Sequence, residues 1–389
     1  MLAEHTLRAA QQANGMQRQR ARELGIRIGV LQTGERNAIT DVPGVAVGHR
    51  TLVEGDDIRT GVTAIVPHAG NVFQQKVPAA VVVGNAFGKL VGSTQVEELG
   101  TLETPIVLTN TLSSFAAAEA LVAYTLRQPG NDDVRSVNPL VGECNDGRLN
   151  AIRALRVERE DVFKAISAAN TREVPEGSIG AGTGMSCFGW KGGIGTSSRQ
   201  LPVSLDGHAV GVLVLTNFGG VLNVGGAPVG KELGRYYLKD AVSGRTLNDS
   251  NADGSCIVVV ATNAPLDARQ LKRLGKRALF GLAAVGSSLT HGSGEYVIAF
   301  STNEGVRVPY QTEGKTQTTT TLRDDALSPL FQAVREATEE AVLNSLFMAT
   351  DVTGANGRTV EAIPLDRVVE ICKQYNVIQA DRRRPLRDR

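Results

Sequence analysis

The chain has 389 residues, 42% of them hydrophobic and 21% charged, with a formal net charge of +1, an ordinary globular balance long enough for one large domain or two. That charge gives no sign of a nucleic-acid or membrane partner, and the arginine-rich tail (Arg382, Arg383, Arg384, Arg387, Arg389) reads as a solvated terminus. No run approaches the roughly 20 apolar residues of a membrane span. The stretch from Met1 to Gly25 is polar and reads as a loose helical lead with no secretory signal, and the four cysteines (Cys144, Cys187, Cys256, Cys372) lack paired spacing, which points to reduced thiols and the cytoplasm.

In chain order, short apolar runs between Gly, Pro, Asn and Asp predict strands at 27–31, 46–49, 60–67, 79–84 and 105–109, the last ending at Asn110-Thr111. Ala117 to Leu126, rich in Ala and Leu, predicts a helix lying flat on a sheet, and Glu160 to Asn170 a second, with acidic residues in its first turn. The glycine-rich stretch from Gly177 to Thr196 lacks phosphate-loop spacing, so its glycines predict crowded strand edges. Val210 to Thr216 predicts a strand ending at Asn217, and Asn223 follows a short turn beyond it. A polar loop from Val242 to Gly254 stops at a Gly-Ser bond, after which Ile257 to Thr262 is a strand. Asp267 to Val285 keeps helical period with Asp267 as cap, Tyr296 to Phe300 is a strand, and Thr316 to Thr321 a surface loop. Leu327 to Met348 predicts a long amphipathic helix and Val368 to Tyr375 a short one. Helices with Ala and Leu stripes beside apolar strands predict an α/β layered domain.

The candidate chemistry gathers on few residues. Cutting Gly254–Ser255 would make Ser255 a new N-terminus, its hydroxyl beside an α-amine whose ordinary pKa of about 7.7–8.0 suits a general base. Ser293 and Glu295, two apart in extended backbone, project the same way, so the carboxylate can orient the hydroxyl. Asn217 and Asn223, both at or near a strand end, are alternative oxyanion donors. Glu143 and Asp146 are carboxylates in a tight loop suited to a substrate ammonium group. His291 offers a conventional Ser-His pairing, but five histidines without ligand spacing do not support a metal. Cys256 follows Ser255 into an apolar strand and points away from it, so it reads as an inert thiol.

Asn37-Ala38-Ile39-Thr40-Asp41-Val42-Pro43-Gly44-Val45, Arg59-Thr60-Gly61-Val62-Thr63-Ala64-Ile65, Leu108-Thr109-Asn110-Thr111, Gly142-Glu143-Cys144-Asn145-Asp146-Gly147, Gly180-Ala181-Gly182-Thr183-Gly184, Asp253-Gly254-Ser255 and Gly292-Ser293-Gly294-Glu295 together resemble the L-aminopeptidase/D-esterase family, which includes the β-peptidyl aminopeptidases. The resemblance spans nearly the whole chain. It implies an αββα sandwich similar to that of N-terminal-nucleophile hydrolases but differently connected, with self-cleavage into an α chain (1–254) and a β chain (255–389) sharing one domain. It further implies a homotetramer and no cofactor. By position, Ser255 is similar to the nucleophile, Ser293 and Glu295 to its supporting pair, Asn217 or Asn223 to the oxyanion donor, and Glu143, with Asn145 beside it, to the residues that receive the substrate. Many family members carry an aromatic residue where this chain has Cys144-Asn145, so the resemblance does not fix the preference among α-peptides, β-peptides, esters and amides. The implied activity is hydrolysis of small amides or esters bearing a free amine. The alternatives are an acyltransferase resembling ornithine acetyltransferases, which cut before threonine, and an uncleaved scaffold.

Overall fold

A computed structural model describes residues 16–244, 254–312 and 314–378. Most of the expected polar loop before Ser255, the first fifteen residues and the arginine-rich tail lie outside the described residues.

The first half of the chain supplies β1 (Ala46–Glu54), β2 (Ile58–Val66), β3 (Gln75–Ala86), β4 (Leu90–Val91), helix α1 (Ser93–Leu99), β5 (Thr101–Leu102), β6 (Ile106–Asn110), α2 (Ser114–Leu126), β7 (Leu140–Cys144) and α3 (Arg159–Ser167). The second half supplies β8 (Ser186–Cys187), β9 (Trp190–Lys191), β10 (Gly193–Gln200), β11 (Ala209–Asn217), β12 (Ser255–Thr262), α4 (Ala268–Ala284), β13 (Gly294–Ser301), β14 (Val308–Pro309), α5 (Ser328–Phe347) and α6 (Leu365–Gln374). The expected strands and helices therefore form, save the strand at 27–31, with small shifts at their ends.

Five strands pair in the order β1-β2-β6-β7-β4, and seven in a second sheet ordered β10-β11-β12-β13-β3-β14, with β5 on β3. Alternation along each strand builds the layers. In β12, Ile257 and Val259 join Leu213, Ile298, Ile65 and Leu108 in a core between the sheets. On the opposite face, Val258 and Val260 pack with Leu274 and Ala278 of α4 and Ala337 and Val342 of α5. Beyond the first sheet, Ala117 and Leu121 of α2 and Val162 of α3 cover Val62, Val107 and Val141. The result is four layers, helix, sheet, sheet, helix, as the α/β layered expectation and the αββα resemblance require.

Helix α4 starts as its sequence predicts: the Asp267 carboxylate accepts from Gln270 N at 2.7 Å, and the Gln270 side chain reaches back to Asp267 N at 3.2 Å. Helix α5 departs from the amphipathic expectation, because it is buried on nearly every side, Glu336, Glu340 and Asn344 included. Arg199 of β10 meets Glu336 at 3.0 Å and Glu340 at 2.8 Å, and Arg22 meets Glu340 at 2.9 Å. The segment expected as a loose lead is recruited here. Ala21 N donates to Asn344 at 2.9 Å, Arg18 caps the last carbonyls of α5 through Phe347 O at 2.7 Å, and Ala21, Leu24 and Ile26 are buried. Residues 27–31 form no strand; Val30 N and Leu31 N donate to the Glu336 carboxylate at 3.0 and 3.1 Å. A buried polar helix face needs donors, and this segment provides them.

The glycine-rich stretch is explained by close backbone approach. A Cβ on Gly195 would lie 2.0 Å from Ala341 O, so β10 can cross α5 only without a side chain there. Among the described residues, no helix is long and apolar enough to cross a membrane.

Candidate active site

Three strand ends meet at Ser255. It opens β12, every residue of which is buried, in the middle of the larger sheet. Ser255 pairs with Asn217, the last residue of antiparallel β11, and with Gly294, the first of parallel β13. Its Oγ donates to Gly254 O at 2.6 Å, and the same carbonyl accepts from Gly294 N at 3.2 Å. A Cβ on Gly254 would lie 1.8 Å from Asn217 O, so the residue before the serine has to be glycine for β11 to come this close.

Gly294 is the residue opposite Ser255, so Ser293 and Glu295, on either side of Gly294, project together toward the face that Cys256 shares, and neither lines the cleft beside Ser255. Both are buried, and Ser293 Oγ donates to the Glu295 carboxylate. The other carboxylate oxygen is buried and has no hydrogen-bond partner among the described residues. Burial pushes the Glu295 carboxyl up to about 7, against the lowering effect of the Ser293 hydrogen bond.

Asn217 lines the cleft beside Ser255. Its Oδ1 accepts from Ser186 N at 3.0 Å and its Nδ2 donates to Asn145 O at 3.0 Å. These two partners fix which way the amide points and leave one of its N–H groups over. Asn223 is not brought to the site: it is tied to the 285–286 turn, with Asn223 N donating to Val285 O at 2.9 Å and its side chain to Val221 O at 3.2 Å. The reason is topological, since β11 ends at Asn217 and the chain turns away before Asn223.

Glu143 comes from β7 in the other sheet and is buried at the wall of the same cleft. Its carboxylate accepts from Lys89 N at 2.9 Å and from the Thr111 hydroxyl. Asn145 is exposed on the cleft rim. Asp146, three residues on, turns into the protein, where it accepts from Asn150 at 3.0 Å and burial pushes its carboxyl up to about 7. Of the two carboxylates that the loop offers, Glu143 alone lines the cleft. The cleft holds about 420 Å³, room for a short peptide or aminoacyl compound.

The other candidates stay outside. His291 is exposed with its ring 6.1 Å from that of Phe87, and the neighbouring Gly292 lines the cleft instead. Cys256 faces the helix layer and Cys144 the inter-sheet core; burial first of all pushes both thiols well up, which keeps them protonated.

Two participants escape the sequence reading. Asn85 of β3 donates to Thr290 O at 2.9 Å and to Ser293 O, clamping the loop that carries Ser293. It gets there through a register shift in the β3–β13 pairing, where Glu295 faces Asn85 but Tyr296 faces Val83. Gly84 inside an apolar strand was the available signal for such a bulge. Thr111 sits just past β6; the sequence reading has it in the Leu108-Thr109-Asn110-Thr111 motif but gives no sign that it is the partner of Glu143.

The fold and the site are those of a serine aminopeptidase with an N-terminal-nucleophile hydrolase architecture. Residues 37–360 match the model of peptidase family S58, and the chain belongs to that family. It is 39% identical over 379 residues to the beta-peptidyl aminopeptidase BapA of Sphingosinicella microcystinivorans, covering 93% of each chain. The solved Burkholderia sp. beta-aminopeptidase superposes with a TM-score of 0.83 at 40% identity, over 92% of this chain and 99% of that one. The L-aminopeptidase D-Ala-esterase/amidase of Ochrobactrum anthropi, described as a new variant of the Ntn hydrolase fold, gives 0.84 at 34% identity over the same shares. The acyltransferase alternative finds no support in these likenesses.

Proposed function

We propose that the chain matures by cutting itself at Gly254–Ser255 and then hydrolyses amides and esters that carry a free N-terminal amine, through an acyl-enzyme on Ser255. In maturation the Ser255 hydroxyl attacks the Gly254 carbonyl carbon, the acyl group passes from nitrogen to oxygen, and water hydrolyses the ester. The products are a Gly254 carboxylate and a Ser255 with both hydroxyl and α-amine free. The 1–254 and 255–389 chains stay together as one αββα domain.

In turnover the α-amine takes the Ser255 hydroxyl proton as Oγ attacks the substrate carbonyl, and returns it to the leaving amine. The spare N–H of Asn217 stabilises the oxyanion. Glu143 receives the substrate ammonium, with Asn145 on the rim beside it, and water releases the acyl group. Ser293, held by Glu295, orients the α-amine. Substrates of this class are short β- or α-peptides, aminoacyl amides and D-aminoacyl esters, in line with the activities for which the similar proteins are named.

The observation that carries this reading is that Ser255, Asn217 and Glu143, drawn from two sheets, line a single cleft. The homotetramer and the cytoplasmic address belong to the same proposal, and four free, buried cysteines fit a reducing compartment. Intact mass spectrometry of the wild type beside Ser255→Ala tests it: two fragments meeting at Gly254/Ser255 in the wild type and one full-length chain in the variant are expected. A wild type that stays whole and inactive would overturn it.

A further inference from the structure

A second cavity of about 430 Å³ adjoins the cleft and shares Arg148, Gly189 and Gly219 with it. Glu143, Thr111 and Lys89, which surround the amine end, line the first cavity and not the second. Gly219 lies just beyond Asn217. A substrate with its amine on Glu143 and its carbonyl at Ser255 therefore directs its leaving group past Asn217 into the second cavity.

The charges in that cavity are unevenly committed. Arg235 donates to Gly189 O at 3.0 Å, lies 3.6 Å from Glu361 and stacks over the Trp190 ring at 5.0 Å. Lys239 donates to Gly234 O at 2.5 Å. Arg148, in the turn that follows the Glu143 loop, stands exposed where the cavities join and has no ion-pair partner among the described residues. Asp240 lines the same cavity without pairing with it. A guanidinium presents a planar fork matched to a carboxylate, and half-buried Tyr236 and Tyr237 supply a wall for a side chain.

We propose that this second cavity is the leaving-group site and that Arg148 binds the C-terminal carboxylate of the departing residue, which makes free dipeptides and similarly short peptides the favoured substrates. The inference rests on the catalytic reading above and adds the side of the substrate that reading leaves open. Arg148 binds substrate equally before and during the reaction, so its loss raises KM with little change in kcat.

The test compares wild type, Arg148→Ala and Arg148→Lys on a β-alanyl dipeptide with a free carboxylate, on its C-terminal amide and on an aminoacyl p-nitroanilide. In Arg148→Ala the KM for the dipeptide acid is expected to rise roughly tenfold, with the amide and the anilide unaffected and partial recovery in Arg148→Lys. The unchanged anilide rate shows that the variant folds and matures. Equal rates on dipeptide acid and amide in the wild type, or an equal loss on all three substrates in the variant, would overturn the leaving-group site while leaving the aminopeptidase intact. A wild type inert toward all three would overturn the catalytic reading, and this proposal with it.

Discussion

Asn217 and Ser255 are partners in the antiparallel ladder between β11 and β12, so the amide and the hydroxyl are placed by the same backbone pairing. With Asn217 Oδ1 held by Ser186 N and one N–H by Asn145 O, one N–H of the amide is left for the oxyanion that the proposed mechanism assigns to it. Asn217→Ala is expected to lower kcat on a chromogenic amide by about 10²–10³-fold, and Asn223→Ala to leave it unchanged. An equal loss in both variants would reject Asn217 as the donor.

Glu143 is buried on the cleft wall, and the proposed function assigns it the substrate's amine. Glu143→Gln keeps the shape and removes the charge; kcat/KM for substrates with a free amine is expected to fall roughly tenfold to a hundredfold. Thr111→Val should give a smaller loss in the same direction, because it removes one hydrogen bond to the carboxylate. Steady-state kinetics on an aminoacyl amide decides, and a Glu143→Gln enzyme with wild-type KM and kcat would dismiss the assignment.

Glu295 ties pH to both stability and activity. Its carboxyl is raised by burial from the ordinary 4.5 to about 7. At low pH the folded and unfolded chains both hold this proton; as pH rises between those two values the unfolded chain releases it first, which favours unfolding, and the effect levels off above the higher value. Glu295→Gln removes that loss, so Tm relative to wild type is expected to be higher at pH 8 than at pH 5, while activity drops because Ser293 loses its anionic acceptor. In the wild type, kcat should fall as pH decreases through about 7, where Glu295 gains its proton, and protonation of the α-amine, whose ordinary value is about 7.7–8.0, acts in the same direction. Thermal melts at the two pH values and a pH–rate profile check both statements; a Tm difference independent of pH would contradict the first.

Arg199 supports the scaffold behind the site. It is fully buried between Glu336 and Glu340, so Arg199→Met leaves Glu336 without a cation among the described residues and Glu340 with Arg22 alone. Breaking a buried pair in this way costs about 3–5 kcal/mol. Urea unfolding should show a loss of that order, and a loss below about 1 kcal/mol would mean that Arg22 and the 28–31 backbone suffice to hold the helix.

What the sequence by itself determined was local. The apolar run after Gly254, the Asp267 cap and the two-residue spacing of Ser293 and Glu295 follow from backbone geometry and near-neighbour chemistry, and each appears where expected. The tertiary structure decided what depended on distant partners. It set Asn217, and not Asn223, beside Ser255 through strand pairing, and Glu143, and not Asp146, on the cleft wall through the direction in which each leaves β7 and its loop. It also brought Asn85 to the serine loop through a bulge, and it turned the polar stripe of α5 inward. A carboxylate looks the same in sequence whether water or Arg199 satisfies it. Only the packing of segments more than a hundred residues apart settles which one does.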